Sequence, residues 1–290
     1  GGMQAIYLAA KHPKHIACVY LDAPAVNRLS CPCAVGRASE PMYEEMKKAT
    51  GWTVKELLSS REEPLDYLDK LVKNKIPCIL VCGDSDKTVP YDENGINVVG
   101  IPGTIDNDLA YTDYTLGFDT AVNTVLWAIN NLRDTMTSHD RVSLVKVMGR
   151  RCGDIALYSG ICGGAEYILV PEIPYDIQAI AEDIKKSKEK GKTSNIIVLA
   201  EGAGNEQEIK TIVSVISGAD VKVTTLGHIQ RGGTPTMADR MLAARFGCRA
   251  TELLLDGKTN RVIGIKNNKI VDLDITEALS ETKQINKKLY

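Results

Sequence analysis

From Gly95 onward, short apolar runs alternate with longer stretches whose apolar residues recur every three or four positions. The short runs predict strands over 96–101, 142–148, 167–170, 195–200 and 221–226. The longer stretches predict helices over 118–133, 154–165, 177–190, 206–216 and 237–255. Strand and helix in alternation is the pattern of an α/β fold, with parallel strands covered by helices on both faces. Gly191, Gly218 and Gly257 stand at helix ends, where a left-handed cap favours a residue without a β-carbon.

The first 94 residues read differently. A helical stretch over 3–12 precedes a short apolar strand at 16–21, and a second strand at 76–82 runs into the acidic turn Gly83-Asp84-Ser85-Asp86. Residues 28–75 are polar and helical in tone, with Glu62-Glu63-Pro64 as a breaker. The two parts abut at Asn94-Gly95 with no linker, whereas whole domains are usually joined through a flexible or polar stretch. This reads as a chimera or a recombined chain. Strand 76–82 is expected to lie beside 96–101, since parallel sheets share the same crossover hand and one can cover the other's open edge.

At 290 residues the chain can hold one large or two ordinary domains. Nothing in its net charge of −2 argues for nucleic acid or an anionic membrane, so neither is expected as a partner. The eight cysteines sit mostly inside apolar stretches, the usage of reduced, buried thiols in a cytoplasmic protein. Cys31-Pro32-Cys33, with Cys78 and Cys82, lacks the paired spacing of a zinc ribbon. No charged-then-apolar leader and no apolar run near twenty residues is present, so neither secretion nor a membrane span is expected.

The chemistry concentrates after strand 96–101, in Pro102-Gly103-Thr104-Ile105-Asp106-Asn107-Asp108. In an extended segment residues two apart point the same way, so Asp106 and Asp108 can reach one site. One carboxylate can take a proton from a hydroxyl while the other helps to hold a metal. Taken alone, the stretch is equally an Asx-rich turn without chemistry.

This stretch resembles the signature of the 6-phosphofructokinases. Four more motifs follow in that family's order: Thr137-Ser138-His139-Asp140-Arg141, Val147-Met148-Gly149-Arg150, Ala200-Glu201-Gly202 and Leu226-Gly227-His228-Ile229-Gln230-Arg231-Gly232-Gly233. The resemblance covers about residues 95–290 and implies a phosphofructokinase-like α/β fold that transfers a phosphoryl group from ATP to fructose 6-phosphate. It implies Asp106 as the base for the sugar 1-hydroxyl, Thr104 as a hydrogen-bond partner of the phosphoryl group, and Asp108 acting through Mg²⁺. Met148, Gly149, Arg150, Glu201, His228 and Arg231 match fructose 6-phosphate positions, Arg150 also counting among the catalytic residues.

Arg141 and Lys222 match residues that the family gives to a neighbouring subunit's sugar-phosphate site, which implies a homo-oligomer, a tetramer in bacterial members. Most members carry arginine where Lys222 stands, and lysine forgoes bidentate phosphate binding. Arg133, Glu166, Lys190 and Lys192 match part of the family's allosteric nucleotide site. Gly103 stands where pyrophosphate-dependent relatives carry lysine, and so points to ATP as donor. The family's glycine-rich first turn and its Gly-Gly-Asp segment have no counterpart before residue 102, so impaired activity is expected.

Residues 1–94 are similar to part of an α/β-hydrolase. Gly1-Gly2 resembles the end of a nucleophile elbow, and Asp86 matches the position of that family's triad acid, but the chain carries no Gly-x-Ser-x-Gly. Three functions therefore stand open: a 6-phosphofructokinase, an α/β-hydrolase-type esterase, and a catalytically dead sugar-phosphate-binding, oligomerising module.

Overall fold

The structure is a computed structural model that describes residues 14, 19–22, 78–81, 99–136, 141–258 and 260–290. In chain order its elements are β1 (Val19–Asp22), β2 (Cys78–Val81), β3 (Val99–Gly100), α1 (Phe118–Met136), β4 (Arg141–Val147), α2 (Asp154–Cys162), β5 (Tyr167–Leu169) and α3 (Ile177–Glu189). There follow β6 (Ser194–Ala200), α4 (Glu206–Ser217), β7 (Asp220–Thr225), a 3-10 turn (Gly227–Arg231), α5 (Met237–Leu255), β8 (Arg261–Lys266), β9 (Lys269–Asp274) and α6 (Ile275–Ser280). The chain divides into two compact units, residues 1–103 with 244–280, and residues 104–243 with 281–290.

The second unit carries a four-stranded sheet in the order β5-β6-β4-β7, every pair parallel. Alternate residues of its central strands feed opposite cores, as the two-residue period of a strand requires. Val145, Val147, Ile196, Val198 and Ala200 pack with α1 and α2, whereas Val142, Leu144, Ile197 and Leu199 pack with α3 and α4. Helices on both faces are thus a direct result of strands that are apolar at nearly every position.

Local chemistry places the helix ends. Asp176 and Asn205 cap α3 and α4, each side chain accepting two backbone N–H groups that the first turn would otherwise leave unpaired. The Asp239 carboxylate accepts the N–H groups of Gly117 (2.9 Å) and Thr120 (2.8 Å), and so caps α1 from a distant part of the chain. Gly191, Gly218 and Gly257 have φ of 88°, 64° and 70°, the left-handed geometry expected of them.

The first unit holds a five-stranded sheet in the order β1-β2-β3-β8-β9. β1, β2, β3 and β8 run parallel, and β9 returns antiparallel from β8. Leu80 pairs with Gly100, so the strand from the 76–82 run lies beside the strand from the 96–101 run, as expected of the merged sheet. The described part of that second strand is only Val99–Gly100.

The β8–β9 hairpin and α6 were not anticipated. Lys266 pairs with Lys269 across Asn267 and Asn268, whose φ values of 49° and 61° are those of a two-residue primed turn. Two asparagines between alternating apolar runs were the available signal. Arg249 and Arg261 both pair with Asp272 of β9, at 2.8 and 2.6 Å.

Two expectations change or fall outside the described residues. Of the cysteines whose burial is described, Cys152 is buried, but Cys162 and Cys248 are exposed, so thiol burial is not general. Asp86, Cys31, Cys33 and Cys82 lie outside the described residues. Among the described residues, no helix is long and apolar enough to cross a membrane.

Candidate active site

Parallel α/β sheets present their ligand-binding groups at the carboxyl ends of strands, where connections diverge to opposite faces. Three predicted segments emerge at that end in the second unit. Met148-Gly149-Arg150 follows β4, Glu201-Gly202 follows β6, and His228 to Arg231 form the turn after β7. The strand ladder extends into these loops, for Glu201 N–H donates to the Val147 carbonyl (2.9 Å) and Leu226 N–H to that of Lys146 (3.1 Å).

Close approach of backbones explains the glycines here. Gly149 has φ of 133°, and a β-carbon on it would stand 2.4 Å from the Cys152 carbonyl oxygen. A β-carbon on Gly202 would stand 2.1 Å from the Arg150 carbonyl oxygen. Arg150 itself has φ of 52°, a left-handed backbone that few residues other than glycine adopt. Its N–H donates to Glu201 Oε1 at 2.7 Å, which ties the loops after β4 and β6 together.

Asp106 completes the group. Its carboxylate is buried, with Arg150 Nε at 3.2 Å from Oδ2. Burial pushes the carboxyl up to about 6, with Asp108 and Glu201 adding to the rise while Arg150 and Arg231 oppose it. A carboxyl in that range, next to a guanidinium, suits a group that must accept a proton near neutral pH. The Asp106 N–H donates to Thr104 Oγ1 at 3.2 Å.

The route by which Asp106 and Asp108 come together differs from the expectation. Asn107 between them has φ of 55°, so the segment is a turn and not an extended strand whose alternate residues align. Asp108 still acts on Asp106 electrostatically. Asparagine is among the few residues that adopt this backbone readily. Its side chain is buried and donates to Asp154 Oδ2 (2.7 Å) and the Asp113 carbonyl (3.1 Å), while Thr115 Oγ1 donates to its Oδ1 (3.3 Å).

Arg141 and Lys222 are brought together, but at the opposite end of the strands. Both pair with Asp220, at 3.5 and 3.1 Å, at the amino-terminal ends of β4 and β7. Of the suggested effector residues, Glu166 pairs with Lys192 (2.8 Å) and accepts the Ile196 N–H (2.7 Å). Arg133 donates to the carbonyls of Gly163 and Gly164, and Lys190 is exposed at the end of α3.

Gln230 supports the site without a role implied by its motif. Its buried side chain accepts the Met148 N–H (3.2 Å) and donates to the Gly227 carbonyl (3.0 Å), holding the β4 and β7 loops in register. Asp154, at the start of α2, likewise has no role implied by a motif. No group of three or more His, Cys, Asp or Glu side chains that could hold a metal occurs among the described residues. Two carboxylates suffice where a substrate's phosphates supply the remaining oxygen ligands, which is the usual way Mg²⁺ is bound.

Fold and site together define a doubly wound α/β protein with an acid–arginine cluster at its strand ends. The chain belongs to the phosphofructokinase family, whose profile matches residues 43–254. That match reaches back into the segment read as hydrolase-like.

The chain is 51% identical over 238 residues to the ATP-dependent 6-phosphofructokinase of Clostridioides difficile (strain 630), covering 81% of this chain and 75% of that enzyme. It is 59% identical over 198 residues to the ATP-dependent 6-phosphofructokinase of Clostridium tetani (strain Massachusetts / E88), covering 68% of this chain and 62% of that one. The solved phosphofructokinase from Saccharomyces cerevisiae matches with a TM-score of 0.66 at 30% identity, covering 76% of this chain and 34% of its own. The chain thus spans under two thirds of the length of several curated relatives it matches.

Proposed function

We propose that this chain carries out 6-phosphofructokinase chemistry, transferring the terminal phosphoryl group of ATP to the 1-hydroxyl of fructose 6-phosphate. The reading is carried by the buried Asp106 carboxyl with Arg150 Nε 3.2 Å away, set among loops that leave three parallel strands. Asp106 takes the proton from the attacking hydroxyl, and Arg150 stabilises the carboxylate that does so. Thr104 and Arg150 stand by the phosphoryl group in flight, while Met148 and Gly149 border the sugar. Glu201 accepts from sugar hydroxyls, and His228 and Arg231 donate to the phosphate, the arginine with a planar fork. Mg²⁺, held at Asp108 together with the donor's phosphates, would supply charge neutralisation on the transferring group.

Arg141 and Lys222, remote from this cluster within one chain, serve the neighbouring copy in a homo-oligomer, a tetramer by resemblance to bacterial members. Arg133, Glu166, Lys190 and Lys192 form the remnant of an effector site. Gly103 selects ATP over pyrophosphate, and the setting is cytoplasmic. The division into a hydrolase-like 1–94 and a phosphofructokinase-like 95–290 is a proposal about the chain's origin, narrowed by the family match that already begins at residue 43.

Titration calorimetry with fructose 6-phosphate, and a coupled assay for fructose 1,6-bisphosphate, test the function. Binding of the sugar phosphate is expected, with turnover with ATP impaired because the family's glycine-rich turn and Gly-Gly-Asp segment have no counterpart here, and with Asp106→Asn abolishing that turnover and changing sugar-phosphate binding little. An unchanged rate in that variant would falsify the assignment of the base. The sugar-phosphate-binding module rests on the same Arg150, His228 and Arg231, and differs in one result: fructose 6-phosphate binds while ATP does not.

A further inference from the structure

We infer that Asp154 is a positioning residue for the catalytic turn, acting on Asp106 and Asp108 through the side chain of Asn107. The inference rests on the proposed phosphoryl transfer for its kinetic consequence only, because the geometry stands by itself.

Asn107 is 1% exposed and Asp154 is 4% exposed, and the bond between them is 2.7 Å long. Both N–H groups of the Asn107 amide are donated, to Asp154 and to the Asp113 carbonyl, and its oxygen accepts from buried Thr115. The residue that carries the left-handed kink between the two carboxylates is therefore gripped on three sides. A hydrogen bond from Cys152 Sγ reaches the Asn107 carbonyl at 3.7 Å and adds a fourth contact from the same loop.

Asp154 is in turn held from elsewhere. It opens α2, where a carboxylate is favoured by the helix dipole. Lys283 Nζ lies 4.0 Å from its Oδ2 and donates to the Thr112 carbonyl at 2.9 Å. The neighbouring Thr282 bridges to Leu109, just beyond the turn. Burial and Glu172 raise the Asp154 carboxyl, and Lys283 and Asn107 oppose them. The C-terminal residues thereby stabilise the charged form of the group that fixes the turn.

An asparagine at 154 can still accept from the Asn107 amide, whereas an alanine leaves that N–H buried and unmet. Asp154→Ala is therefore expected to lower kcat about tenfold or more, the scale of a small misplacement, with KM for fructose 6-phosphate within about twofold. Asp154→Asn should recover most of the loss.

Hydrogen exchange on the full chain gives a readout that does not depend on turnover. In Asp154→Ala, exchange across residues 104–115 should speed up about tenfold or more while 194–200 stays as in the parent, and Asp154→Asn should match the parent within about twofold. If the alanine variant does not fold, Thr115→Val, which removes the hydroxyl donated to the same amide, should give the same local loosening. The inference is overturned if alanine and asparagine behave alike, or if 104–115 exchanges at the parent's rate in the alanine or valine variant. If the parent itself transfers no phosphoryl group, the proposed function falls, and the exchange comparison alone decides the role of Asp154.

Discussion

Replacing Asp106 by asparagine should stabilise the unliganded chain near neutral pH. The carboxyl's ordinary value of 3.8 is pushed up to about 6 by burial, with Asp108 and Glu201 nearby. The folded chain therefore binds that proton more tightly than the unfolded one. Stability from this difference is fully present below about pH 4 and is lost as pH rises through about 6. A shift of about two units corresponds to about 3 kcal/mol. Arg150 is half exposed and the loops lie at the strand ends, so solvent screening lowers the figure to about 2 kcal/mol.

Asparagine keeps the shape and an acceptor for Arg150 Nε but carries no charge. Urea denaturation of parent and variant should show a gap close to zero at pH 4, widening to about 2 kcal/mol in the variant's favour at pH 7.5. A gap that is the same at both pH values, or a variant less stable at pH 7.5, would refute the reasoning. The same variant should be inactive, so a gain in stability and a loss of function would trace to one buried charge.

If Asp106 is the base, turnover should fall as pH drops below about 6, and a kcat profile flat from pH 5 to 8 would contradict that role. Gly202→Ala, with a β-carbon 2.1 Å from the Arg150 carbonyl oxygen, should cost about 1–3 kcal/mol and weaken fructose 6-phosphate binding, read by denaturation and calorimetry. Asp239→Ala removes a carboxylate that accepts two N–H groups at the start of α1, so urea denaturation should show a loss of about 1–2 kcal/mol.

Much of the second unit was legible from pattern alone. The runs at 142–148, 195–200 and 221–226 and the spacing in 118–133, 177–190 and 206–216 mark the observed elements to within a few residues, because each follows from local apolar periodicity. The hairpin of β8 and β9 was missed because its signal was turn chemistry at Asn267-Asn268, not the alternation of strand and helix that governs the rest. The motifs mark the site residues, but Asp106 and Asp108 do not align as alternate residues of an extended strand, because Asn107 between them is left-handed.

The order of residues dictates the set of elements and the chemical types available: carboxylates at 106, 108 and 201, guanidiniums at 150 and 231, and glycines where loops must close. Tertiary structure alone decided which of them meet. It joined Arg150 to Asp106 and Glu201, placed Arg141 and Lys222 at the far end of the same strands, and set Asp154 against Asn107, 47 residues away in the chain. Periodicity reports only which face of a segment is dry. The order β5-β6-β4-β7, and with it the group of loops that shares one end of the sheet, is set by crossovers between segments that no local pattern encodes.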